Sequence, residues 1–104
     1  RGLIYSFSTQ PNFQIHIGIS LLVIIAMIYF PLLLWERVVL ISCIILGLVI
    51  EMMNTAIESV VDLVTQEWRQ SAKIAKDVAA GAMLLTAFAT AIVGLMILTP
   101  YVFG

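Results

Sequence analysis

IHIGISLLVIIAMIYFPLLL, residues Ile15 to Leu34, runs for twenty residues without a formal charge. About 20 helical residues at about 1.5 Å each match the roughly 30 Å hydrocarbon core of a bilayer, so this stretch reads as a membrane span. Pro31, near its end, marks where the helix stops or kinks. The composition extends the reading outward. The chain has 104 residues, of which 62% are hydrophobic and 11% charged, and a mean hydropathy of +1.14. A soluble domain this small has too little interior to hide that much apolar surface. Lipid is the solvent that fits.

Downstream of the first run, Trp35-Glu36-Arg37 reads as a short polar break with an aromatic at the interface. A second helical stretch is expected over residues 38–64 and a third over 71–99, with Pro100, Tyr101 and Gly104 as an interfacial end. There is no long linker, low-complexity segment or internal repeat, so a single membrane-embedded domain over 1–104 is expected. Arg1, Arg69, Lys73 and Lys76 fall on one side of this three-span plan and only Arg37 on the other. The positive-inside tendency then puts the amino terminus in the cytoplasm and the carboxyl terminus outside. Residues 1–10 mix Leu3, Ile4, Tyr5 and Phe7 with small polar residues, a pattern that fits an amphipathic helix lying on the cytoplasmic surface. No signal-peptide layout precedes the first span. Because the sequence opens on Arg1 rather than Met, residues upstream are expected.

The net charge of −1 gives no footprint for a nucleic-acid partner. Cys43, the single cysteine, lies in an apolar run and reads as a small hydrophobe. Trp35 and Trp68 read as interfacial belt residues, and His16, at the start of the first span, as a structural histidine.

The second helix carries the chemistry. In Glu51-Met-Met-Asn54-Thr-Ala-Ile-Glu58-Ser-Val-Val-Asp62, steps of about 100° per residue place Glu51, Asn54, Glu58 and Asp62 within a stripe roughly 80° wide. Counted from Val38, Glu51 and Asn54 lie within the cytoplasmic third of the hydrocarbon, while Glu58 and Asp62 reach the headgroups. A carboxylate at the depth of Glu51 costs several kcal/mol unless it faces protein or water. An interhelical polar seam would explain one buried acid. A ladder of acids that continues to the surface reads better as a site, and the repulsion along it calls for a hard divalent cation such as Mg²⁺. The third helix opens with Lys73-Ile-Ala-Lys76-Asp77, followed by Ala79, Ala80, Gly81 and Ala82, a smooth face that permits close helix packing. Lys76 and Asp77 read as interfacial anchors on their own, but opposite the acidic stripe Lys76 is placed to neutralise phosphate oxygens.

At these residues a family becomes recognisable. The string Glu51-x-x-Asn54-Thr-Ala-Ile-Glu58-x-Val-Val-Asp62, followed by Ala75-Lys76-Asp77-Val-Ala-Ala-Gly-Ala82, resembles the signature of the bacterial diacylglycerol kinase/undecaprenol kinase family of small integral membrane lipid kinases. Asn12-Phe13-x-x-His16 is similar to that family's entry to its first span, and the resemblance covers essentially the whole chain.

The resemblance implies an all-α homotrimer in the bacterial plasma membrane that moves the γ-phosphoryl group of ATP onto a lipid hydroxyl. It implies Glu51 as catalytic base with Asn54 as its polar neighbour, both at the lipid substrate. Glu58 matches a ligand of the ATP-bound metal. Lys76, Asp77 and Asp62 match residues at the nucleotide, and Glu67, Trp68 and Arg69 fall where the family's loop approaches the adenine. The family normally has Glu, a second metal ligand, where this chain has Gln10. Trp68-Arg69 likewise stands where Tyr-His is common. The sequence around Asp62 and Lys76 looks closer to the undecaprenol branch than to the diacylglycerol branch. No Walker A motif or glycine-rich kinase loop is present, so side chains and metal are expected to hold the phosphates.

Two other classes compete with this reading. A small oligomeric transporter or proton-pathway protein using Glu51 and Asn54 predicts polar residues through the outer half of the membrane, whereas residues 38–50 and 84–99 carry no charge. A purely structural subunit leaves the acidic ladder unexplained.

Overall fold

The computed structural model describes residues 1–104 and is entirely helical: α1 (Gly2–Thr9), α2 (Pro11–Tyr29), α3 (Leu34–Val64) and α4 (Gln70–Phe103). The last three are long and apolar enough to cross a membrane. α3 and α4 form the main pair, α2 packs on α3, and α1 folds back to touch α2 and α3. Contacts from Asp62 to Lys76 at one end, and from Glu36 to Tyr101 at the other, fix α3 and α4 as antiparallel.

Two prolines set the breaks. Pro11 has no N–H to offer the Phe7 carbonyl one turn back, and the Gln14 side-chain amide donates to that carbonyl instead, at 2.7 Å. Gln10 is extended between the two helices (φ −111°, ψ 105°), and Pro11 starts α2 at the position where a missing N–H costs nothing. Pro31 acts in the same way at the far end. It pushes Phe30 out of the helical region (φ −88°, ψ 146°), so α2 stops at Tyr29.

This corrects the expected first break. The non-helical link is Phe30–Leu33, and Trp35-Glu36-Arg37 belongs to the first turn of α3. Arg37 is the reason these charges stay with the helix. Its guanidinium donates to the carbonyls of Met27 (2.6 Å), Leu32 (3.3 Å) and Phe30 (3.4 Å), which the proline break leaves without helical partners. Glu36, buried, reaches back to accept the Leu33 N–H at 2.9 Å and also accepts the Tyr101 hydroxyl. The expected end of the third helix at Thr99 is also corrected: α4 runs through Pro100 to Phe103. A core cluster of Met27, Leu32, Leu40 and Ile97 sits beside this knot.

Only 14 of the 104 residues are buried within one chain, so nearly all the apolar surface faces outward, as lipid or neighbouring helices require. α3, with 31 residues, is about 46 Å long at about 1.5 Å per residue, and overruns a roughly 30 Å hydrocarbon core. Its polar end therefore has room to stand clear of the apolar slab.

Candidate functional site

Glu51 and Asn54 lie on the covered side of α3, 3% and 9% exposed. Thr55, also buried, donates its hydroxyl to the Glu51 main-chain carbonyl at 3.1 Å. Asn54 donates through Nδ2 to Glu58 Oε1 at 3.5 Å, the long limit of a hydrogen bond. Its carbonyl oxygen is buried and has no partner. An orphaned buried acceptor costs about 1–3 kcal/mol, so a donor missing from the isolated chain is what this position asks for. His16 lies against Gly47 one turn before Glu51; a Cβ at Gly47 would meet its Nδ1 at 3.4 Å.

Along the same helix the stripe opens into a cleft of about 410 Å³ between the end of α3, the 65–69 connection and the start of α4. Its charges come in pairs. Lys76 Nζ meets Asp62 Oδ1 at 2.6 Å across the two helices. Lys73 Nζ meets Asp77 Oδ2 at 2.6 Å along α4. Arg69 meets Glu67 Oε2 at 2.9 Å within the connection, whose Thr65 hydroxyl caps the Glu67 N–H at 3.1 Å. All six side chains are well exposed, and Trp68 on the same rim is 75% exposed. Such pairs are held weakly in water, so a ligand can exchange them.

The fold thus gathers Asp62, Glu67, Trp68, Arg69, Lys76 and Asp77 around one cleft, and puts Glu51, Asn54 and Glu58 on the helix leading to it. The family profile described as prokaryotic diacylglycerol kinase matches residues 1–98. The chain belongs to that family. It is 43% identical over 102 residues to a diacylglycerol kinase of Synechocystis sp., covering 95% of this chain and 57% of that protein. It is 37% identical over 100 residues to an undecaprenol kinase of Bacillus subtilis, covering 96% of this chain and 81% of that one. The chain therefore spans little more than half of the first relative and most of the second.

For a member of the prokaryotic diacylglycerol kinase family, the donors present decide what metal fits. No three His, Cys, Asp or Glu side chains are gathered to hold an ion by themselves. Glu58, half-buried, offers one carboxylate. Mg²⁺ keeps most of its waters and takes one or two carboxylates plus substrate phosphates, so this donor set fits an ion that arrives with a nucleotide. Gln10 is not joined to the stripe. Its amide donates to Thr9 at 3.3 Å, and it hydrogen-bonds to none of the α3 acids. Lys73 was read from sequence only as part of the helix border, yet it lines the cleft. Its spacing of three and four residues from Lys76 and Asp77, which puts all three on one helix face, was the available signal.

Proposed function

We propose that this chain is an ATP-dependent lipid kinase that phosphorylates a membrane alcohol, undecaprenol in preference to diacylglycerol. The observation that carries it is the continuity of the α3 stripe. A buried carboxylate and an orphaned amide oxygen share one α3 stripe with Asp62, which lines a charged, exchangeable cleft. A lipid that keeps its tails in the bilayer brings its hydroxyl to Glu51, while a nucleotide approaches from water into the cleft. Phosphoryl transfer asks a protein mainly for positioning and charge neutralisation, and both halves of that demand are met here by different parts of one helix.

In this reading Glu51 accepts the hydrogen bond of the lipid hydroxyl and takes its proton, with Asn54 as its polar neighbour at the same site. The lipid oxygen bonds to the γ-phosphorus as the bond to the β-phosphate breaks and ADP leaves. Lys76 neutralises phosphate oxygens, with Asp77 and Asp62 beside it, and Glu67, Trp68 and Arg69 bound the base. Glu58 would hold Mg²⁺, with Gln10 as a neutral second ligand; bound there, the ion would offset the triphosphate charge. The enzyme works as a homotrimer in the bacterial inner membrane, with α1 on the cytoplasmic surface and the cleft facing the cytoplasm. The small buried fraction of the single chain supports association. The clustering of Arg69, Lys73 and Lys76 at one end supports the orientation.

Phosphate transfer from MgATP to undecaprenol and to diacylglycerol, side by side in detergent micelles, tests this. Faster transfer to undecaprenol is expected. Transfer to diacylglycerol alone overturns the branch, and no transfer to either lipid by folded protein overturns the kinase.

A further inference from the structure

We propose that Lys73 is a second phosphate-contacting cation of the cleft, one that exchanges Asp77 for the polyphosphate of a bound nucleotide. This rests on the kinase reading and deepens it. The inference begins with the residue's position. Lys73 is the fourth residue of α4, where an ammonium opposes the helix dipole, and no acidic residue occupies the first turn to compensate. Its local partner does little to justify it. The Lys73–Asp77 pair spans i to i+4 with the lysine first, the less favourable order, and its side chains are 59% and 62% exposed. Helix stability therefore does not explain a lysine here.

The cleft does. Lys73 and Lys76 are three residues apart on one face of α4, and both line the same cavity. Their counter-ions differ in kind. Lys76 is tied across the helix pair to Asp62, a contact that also joins α3 to α4, whereas the Lys73 pair bridges nothing. Of the two lysines, Lys73 is thus the one whose release disturbs the fold less. Without ligand the cleft is self-neutralised: Arg69, Lys73 and Lys76 stand against Glu67, Asp62 and Asp77. A triphosphate brings several negative charges, more than Lys76 offsets even beside a divalent ion. Exchange at Lys73 supplies the second. It also frees the Asp77 carboxylate to accept from ribose hydroxyls or the adenine amino group, so both members of the pair gain a partner on a ligand that carries phosphates and donors together.

The test is equilibrium binding of MgATP, MgADP and AMP to the full chain in uncharged detergent, with and without added anionic lipid, for the native protein, Lys73→Gln and Lys73→Arg, alongside lipid phosphorylation. Lys73→Gln is expected to weaken MgATP about tenfold, the worth of one charge-assisted contact, and AMP much less. Its melting temperature without nucleotide and its KM for lipid should not move, and Lys73→Arg should restore most of the MgATP affinity. Equal loss for AMP and ATP, or a lowered melting temperature, makes the role structural and overturns the inference. An effect confined to the presence of anionic lipid assigns the lysine to headgroup phosphate and overturns it as well. If Lys73→Gln matches a native protein that binds nucleotide and turns over, only this inference fails. If the native protein binds no nucleotide, the kinase reading fails and takes the inference with it.

Discussion

The two ends of the α3–α4 pair carry similar residues to opposite effect. At the Pro31 end, Glu36 and Arg37 are satisfied by the protein itself. Glu36 accepts from Leu33 and Tyr101, and Arg37 donates to three main-chain carbonyls around the proline break. At the other end, the Asn54 oxygen is buried without a partner, one turn from the buried Glu51, and the charges of the cleft sit in exposed pairs. A charged group buried with its hydrogen bonds filled belongs to the fold. A polar group that is buried and unfilled, beside charges that are filled but exchangeable, belongs to a site. Satisfaction, more than charge or depth, separates the two.

The sharpest way to break this comparison is Glu51→Gln. Loss of a general base costs roughly two to four orders of magnitude, so lipid phosphorylation should fall below about one-hundredth of native while MgATP binding and melting temperature hold. Turnover within tenfold of native would remove Glu51 from the chemistry. At the opposite end Arg37→Ala should act on stability and leave the chemistry alone. Stranding the Met27 and Leu32 carbonyls is expected to destabilise by about 2 kcal/mol, read as earlier unfolding in detergent, with KM values for both substrates unchanged in the protein that stays folded. If the Arg37 variant melts normally but loses nucleotide affinity, the two ends are not separable.

Lys76→Gln sharpens the middle ground. Its pair with Asp62 is exposed on both sides, so its removal should change stability by less than about 0.5 kcal/mol. MgATP affinity should nevertheless fall about tenfold. Equal affinities in a titration of native and variant proteins would show the pair to be ornament on the α3–α4 contact.

The same distinction explains what could be read from the sequence. Three apolar helices and the acidic stripe were legible because helix length and a periodicity near 100° per residue survive any tertiary arrangement. The position of the first break was not. Hydropathy treats Trp35-Glu36-Arg37 as solvated, and nothing in a linear pattern says that Pro31 will strand carbonyls for Arg37 to collect. The rule that the residue before proline leaves the helix would have put the break at Phe30. Lys73 was missed for a related reason: a lysine at a helix start on a membrane border has an easy explanation as an anchor, and only the folded cleft shows which way its amine is directed.

The smallest expected effect is at Gln10, and it asks whether α1 belongs to the site end at all. Gln10 lies in the one-residue break between α1 and α2 and is bonded only to its neighbour Thr9 and along its own backbone. Replacing it with Glu adds a hard anionic oxygen without removing any contact to α3, so stability should hold. If α1 closes over the stripe when nucleotide and metal are present, the added carboxylate gives Mg²⁺ a second anionic ligand beside Glu58, and one or two is the number it ordinarily takes. The Mg²⁺ concentration for half-maximal lipid phosphorylation should then drop a few-fold, with kcat little changed. An unchanged Mg²⁺ dependence would leave α1 outside the metal's reach, and would place the whole of the candidate site on α3, α4 and the link between them.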